Sequence, residues 1–175
     1  GLELRFLPAT TSIMWPPNAV LTAALVLAPP RRWFAILLCV LPVHIIIQIG
    51  TGWQLSLILA LFVTNCSEAL IAAGGMSLLT NKPWRFDTVR GLGAFFLAAV
   101  LIAPIVSSFA DAAVVSLVRG EDYWRVWSNR TASNVLAELT VVPAAVGGTL
   151  MLLRWWRQGA WVPRFEAVVL VASLL

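Results

Sequence analysis

The sequence predicts an all-α, polytopic transmembrane helix bundle. Three observations carry this. Of 175 residues, 60% are hydrophobic and only 11% are charged, whereas soluble domains carry about 25% charged residues. The apolar residues fall in long uninterrupted runs rather than in the alternating or 3.6-residue stripes of a water-soluble core. The basic residues gather in the short segments between those runs. The net charge of +4 therefore reflects membrane orientation, and nucleic acid is excluded as a partner in favour of the lipid bilayer.

The spans can be taken in order. The first covers residues 12–28: Trp15-Pro16-Pro17-Asn18 opens it, and Pro29-Pro30-Arg31-Arg32 closes it. The second runs over 33–49, from Trp33 to Ile49, and Gly50-Thr51-Gly52 turns the chain. The third covers 53–79 and is followed by a loop, 81–90, bearing Lys82, Arg85 and Arg90 against a single acid, Asp87. The fourth covers 91–118. A loop over 119–125 balances Arg119 and Arg125 against Glu121 and Asp122. The fifth covers 126–153, Arg154, Arg157 and Arg164 follow, and a sixth begins near Phe165.

Basic loops alternate with neutral ones, as orientation by positive charge requires. Arg31-Arg32, 82–90 and 154–164 belong in the cytoplasm of a bacterial inner-membrane protein, and residue 1 in the periplasm. One span before this stretch and one after it would make about eight, of which about six are visible here as one domain over 1–175, shortened at both ends. Trp33, Trp53, Trp84, Trp124, Trp155, Trp156 and Trp161 sit near span ends, where an interfacial belt places them. Pro42, Pro104 and Pro143 lie inside spans and predict bent helices. Small residues at four-residue spacing (Ala69, Ala73 and Ser77, then Ala99, Ala103 and Ser107) let helices approach closely.

The functional candidates are the polar residues inside the spans. An ionisable group at mid-span costs roughly 2.5–3.5 kcal/mol on insertion scales, so something must offset it. Glu68, Asp111 and Glu138 are such groups. Asn65 and Glu68 share one helical face, as do Ser107, Ser108 and Asp111. Arg130, Asn134 and Glu138, at i, i+4 and i+8, form a continuous polar stripe. His44 and Gln48 are four apart on the second span, and Trp15 and Asn18 mark the mouth of the first.

At 1.5 Å per residue Glu68 lies about 22 Å below Trp53 and Glu138 about 21 Å below Trp124, with Asp111 about 12 Å from Arg119. The expectation is an interior polar cluster with His44 within a turn or two and Arg130 nearer the outer mouth. It could act as glue between helices, as a binding site for a ligand or ion, or as a relay in transport; two close carboxylates would share a proton or need a cation.

A single histidine gives no metal or haem pair, and Cys39 and Cys66 have neither metal-ligand nor disulfide spacing. The sequon at Asn129-Arg130-Thr131 is read as accidental. No catalytic residue and no cofactor is assigned.

The stretch WPPNAVLTAALVLAPPRRWFAI resembles the opening signature of the membrane-associated sensor domain family, type one (MASE, type one): a Trp-Pro-Pro start, a small-residue span, then an Arg-rich turn before an aromatic. FVTNCSEALIAA resembles that family's Asn and Glu pair followed by small residues, and WSNRTASNVLAELTVVPAAV its late polar stripe leading to a proline. Together these cover about residues 12–153. Ala19 stands where the family usually has Gly, and Ser133-Asn134 where many members have Gly and an acid. Either Glu138 takes over that acid's role or the ligand differs.

The resemblance implies an eight-span sensory input domain at the N-terminus of a bacterial histidine kinase or diguanylate cyclase. Such a domain detects an unknown small ligand or membrane state, and its partners would be a cytoplasmic effector and a homodimer formed through effector domains, or a larger membrane complex. Two other classes stay open, a transporter-like module and a structural subunit of a membrane complex.

Overall fold

The computed structural model describes residues 14–50, 52–80 and 86–158, with the side chains of 157 and 158 excepted. Every regular element among them is helical: α1 (Pro16–Leu27), a single 3-10 turn (Pro30–Arg32), α2 (Trp33–Ile49), α3 (Leu55–Leu79), α4 (Val89–Phe95), a π-helical segment (Phe96–Ile102), α5 (Ala103–Arg119) and α6 (Tyr123–Gln158). A helix satisfies its own backbone polar groups, as a lipid environment demands.

Among the described residues, four helical stretches are long and apolar enough to cross a membrane: Pro30–Ile49, Leu55–Leu79, Val89–Arg119 and Tyr123–Trp156. This corrects the expectation of six visible spans. The start of the sixth, near Phe165, lies outside the described residues. The first of the expected six is α1, which has only 12 residues. At 1.5 Å per residue it reaches about 18 Å, short of the roughly 30 Å hydrocarbon core. Prolines set both limits. Pro16 and Pro17 occupy the first helical turn, where a missing N–H costs nothing, and Trp15 before them is non-helical (φ −114°, ψ 79°). At the other end Ala28 is extended (φ −91°, ψ 153°) ahead of Pro29-Pro30.

The last span is also longer than its apolar run suggests. α6 has 36 residues, so Arg125 and Arg154 lie within the helix rather than in loops. Only Gly120, Glu121 and Asp122 separate α5 from α6. Gly120 takes a left-handed φ of 68° and its N–H reaches the Ser116 carbonyl, a helix ending that side chains with a Cβ rarely adopt.

The three prolines behave differently. Pro42 and Pro143 lie inside α2 and α6 without ending them. Pro104 falls in the first turn of α5, just after the π segment. In a continuous α-helix its ring would meet the Val100 carbonyl and remove that carbonyl's donor. The wider π turn takes up the mismatch at that point.

α3 is the central rod, packed against α1, α2, α4, the π segment and α5, while α6 lies along α1 and α5. A close approach occurs at Gly75, where an added Cβ would stand 2.8 Å from the Ala98 Cβ of the π segment. The small-residue stripes read from the sequence are the reason: Ala69, Ala72, Ala73, Ala98, Ala99 and Ala103 all lie in one buried cluster. Outward positions are apolar, including Phe34, Ile46, Val63, Leu78, Leu117 and Met151. α2 shows the inversion most clearly, because its only buried residues are His44 and Gln48. On that helix polar side chains face in and apolar ones face out, the pattern of a helix exposed to lipid.

Two tryptophans placed at span ends make specific contacts. Trp33 Nε1 donates to the Leu25 carbonyl at 2.8 Å, satisfying an open carbonyl at the end of α1 and fixing the α1–α2 turn. The Arg119 guanidinium lies 5.5 Å from the centre of the Trp53 ring, a cation–π contact at the α3 and α5 ends.

A three-rung polar ladder inside the bundle

Glu68 is the meeting point of four helices. From α3 its Oε2 accepts hydrogen bonds from Asn18 Nδ2 of α1 (3.1 Å), Ser107 Oγ of α5 (2.5 Å) and Asn134 Nδ2 of α6 (2.6 Å). The side chain is fully buried. Three donors on one oxygen offset much of what it costs to hold a carboxylate between helices.

One turn toward Gly120, Asp111 of α5 makes a second rung. Its Oδ1 accepts from Thr64 Oγ1 of α3, and its Oδ2 lies 3.5 Å from the Arg130 guanidinium of α6. One turn the other way, Glu138 of α6 makes the third, with Oε1 accepting from Thr22 Oγ1 of α1 at 2.8 Å.

The rungs share one register. Thr64 and Glu68 on α3, Ser107 and Asp111 on α5, Asn18 and Thr22 on α1, and Arg130, Asn134 and Glu138 on α6 are each four apart. Four residues rise about 6 Å, so successive rungs are roughly one helical turn apart. The stripe read on α6 is thus a true ladder rail, and each of its residues bonds a different helix.

The ladder also explains the depth of α1. Glu68 lies about 20 Å along α3 from its first residue, yet its partner Asn18 is in the first turn of α1. The helix α1 therefore begins at mid-bundle and fills only the half toward Arg31-Arg32. Its first turn, the positive end of the helix dipole, lies beside the Glu68 carboxyl group. Half-helices that end inside a bundle are a recurrent device in membrane proteins.

Of the residues singled out from the sequence, Asn18, Glu68 and Asn134 meet directly, Glu138 joins through the next turn, and Asp111 with Arg130 forms the rung beyond. His44 stands apart. Its Nε2 is 3.2 Å from the Ile58 carbonyl and its ring packs on Phe62 at 5.3 Å between centroids. That is a helix-to-helix tie between α2 and α3 and involves no carboxylate. Asn65 shares the buried face of Glu68 without bonding it, and its Oδ1 accepts no hydrogen bond. Trp15 is partly buried, and its Nε1 likewise has no partner.

Thr22 and Thr64 were missed in the sequence, although each lies four residues from a candidate, Asn18 or Glu68. Among the described residues no three of His, Cys, Asp and Glu gather into a metal-holding group.

Fold and ladder together define a class: a helical membrane domain with a buried, hydrogen-bonded ionisable core. The family can be stated more closely. Residues 2–175 match the MASE1 family model, and the chain belongs to that family of membrane-associated sensor domains, which are signal-transduction modules and not enzymes. The family read from the Trp15-Pro16-Pro17 signature is the one found. No curated protein and no solved structure matches the chain.

Proposed function

We propose that this domain is a sensory input in a bacterial inner membrane, with Arg31-Arg32 in the cytoplasm and the Gly120–Asp122 turn outside. It detects a ligand or membrane state and signals to a histidine kinase or diguanylate cyclase attached after it in the intact polypeptide. The observation that carries this reading is the part α6 plays. That helix supplies one residue to every rung and then continues about 30 Å from Glu138 to Gln158, on the side assigned to the cytoplasm. A change in any rung alters how α6 packs, and a helix is stiff enough to carry that change to an attached domain. The mechanism is a population shift between two packings of the ladder. Homodimerisation through the effector domains fits the same scheme.

A transporter-like reading has one observation in its favour, the half-helix α1 beginning beside a buried carboxyl group. A sensor requires an effector segment attached to the bundle, and a transporter does not. Mass and terminal sequencing of the intact polypeptide from native membranes tests this. A kinase or cyclase segment beyond Leu175 is the expected result; a polypeptide with no effector segment refutes the sensor reading.

A further inference from the structure

Among the described residues, the Glu68 and Glu138 rungs carry two carboxyl groups and no basic partner. The hydrogen-bond donors to Glu68 and Glu138 are two asparagines, a serine and a threonine, while Arg130 is engaged by Asp111. Each carboxylate uses only one oxygen. Glu68 Oε1 and Glu138 Oε2 are buried and accept nothing, and so are Asn18 Oδ1 and Asn134 Oδ1. The four residues are 0%, 0%, 1% and 1% exposed.

The orientation of both amides is fixed, because each must turn its Nδ2 toward Glu68 to donate. Their oxygens are held close by. The two ends of an amide or carboxylate are only about 2.3 Å apart by standard bond lengths, so the free oxygens of Asn18, Asn134 and Glu68 all lie within roughly 5.5 Å of Glu68 Oε2. Glu138 itself is one turn further along the same helix face as Asn134.

What gathers here is a set of buried oxygens without hydrogen-bond partners, two from carboxyl groups and two from carboxamides, in a region of low dielectric. Such a set is complementary to a compact positive charge. Oxygen-only donors without histidine or thiolate suit a hard cation, an alkali or alkaline-earth ion, rather than a transition metal.

We infer that Glu68, Glu138, Asn18 and Asn134 form a site for a hard metal cation, which is the ligand, or a co-ligand, of the sensor. The inference rests on the sensory reading for its role but not for its chemistry. Binding at this site joins α1, α3 and α6 through one ion, and so favours the packing in which those helices are closest.

The test uses the intact protein purified in nanodiscs. Its thermal unfolding is followed in NaCl, KCl, MgCl2, CaCl2 and methylammonium chloride, each matched in ionic strength by choline chloride, whose cation is too bulky for the site. The expected result is a saturable rise in the unfolding midpoint with one metal cation, and at least a tenfold rise in its half-saturating concentration in Glu138→Gln. Equal midpoints in all salts, a rise with methylammonium alone, or an undiminished response in Glu138→Gln overturns the inference. Should Glu138→Gln fail to fold, Thr22→Val releases Glu138 without removing its charge and should raise the half-saturating concentration severalfold; no change there overturns the inference equally. Effector output measured in the same salts separates the two claims. Metal binding without a change in output refutes the sensory role and leaves the site standing; an output that responds to some other stimulus, with no metal effect on unfolding, refutes the site alone.

Discussion

Replacing Glu68 with leucine removes the one acceptor shared by Asn18, Ser107 and Asn134. Two limits bound the cost. Hydrogen bonds between membrane helices average about 0.6 kcal/mol in double-mutant cycles, so three of them give about 2 kcal/mol. A buried donor left unsatisfied costs about 1–3 kcal/mol. Ser107 has a second acceptor in the Pro104 carbonyl at 3.3 Å, so only the two asparagine amides are stranded, giving up to about 6 kcal/mol. Glu138→Leu breaks a single bond, and the Thr22 hydroxyl it frees can turn to its own helix backbone. That change should cost no more than about 1.5 kcal/mol. The prediction is thus an ordering as well as a size: Glu68→Leu destabilises by about 2–6 kcal/mol and clearly more than Glu138→Leu. Reversible unfolding by SDS titration in mixed micelles measures both. Equal losses for the two variants, or a loss below about 1 kcal/mol for Glu68→Leu, would refute the claim that Glu68 joins four helices.

Other consequences arise from the packing and the charges. Gly75→Ala should destabilise by about 1–3 kcal/mol, because its methyl meets Ala98 at 2.8 Å, while the neighbouring Gly74→Ala meets nothing within 4 Å and should be neutral or stabilising in the same titration. Asp111→Leu leaves Arg130 buried without its partner and should cost about 3–5 kcal/mol, whereas Asp111→Leu with Arg130→Met should recover most of that; a double variant no better than the single one would contradict the pairing. In a background with Cys39 and Cys66 replaced, Glu121→Cys should react with a membrane-impermeant maleimide in intact cells and Arg31→Cys only after permeabilisation. The opposite pattern would invert the assigned orientation.

Much of this architecture is legible in the chain. The α6 rail needed only the spacing of Arg130, Asn134 and Glu138, because position on a helix face depends on residue number alone. The inward placing of Glu68, Asp111 and Glu138 came from the cost of exposing them to lipid. Two things were not legible, and for one reason. The partner of each rail residue depends on how far one helix is shifted along the next, and that shift is set by packing between distant segments. Apolar length placed residues 12–28 across the whole membrane, but prolines cut α1 to 12 residues, and the bonds from Asn18 and Thr22 place it at mid-depth. The same dependence misled the placing of His44. Its distance from the membrane surface put it near the carboxylates, while its direction on the peripheral helix α2 turned it to Ile58 and Phe62 instead.

In the proposed mechanism the packing held by Glu68 sets the state of an attached effector. That dependence is tested most directly by effector output, autophosphorylation or cyclic dinucleotide formation, from the intact protein in native membranes at matched abundance. Glu68→Gln keeps the side chain's size, and its carbonyl can take the place of Oε2, so the bundle can fold while the carboxyl group at the meeting point is lost. Glu68→Gln should shift basal output severalfold, whereas Leu117→Ala, at a lipid-facing position that is 86% exposed, should leave it unchanged. A folded Glu68→Gln protein with wild-type output would contradict that dependence.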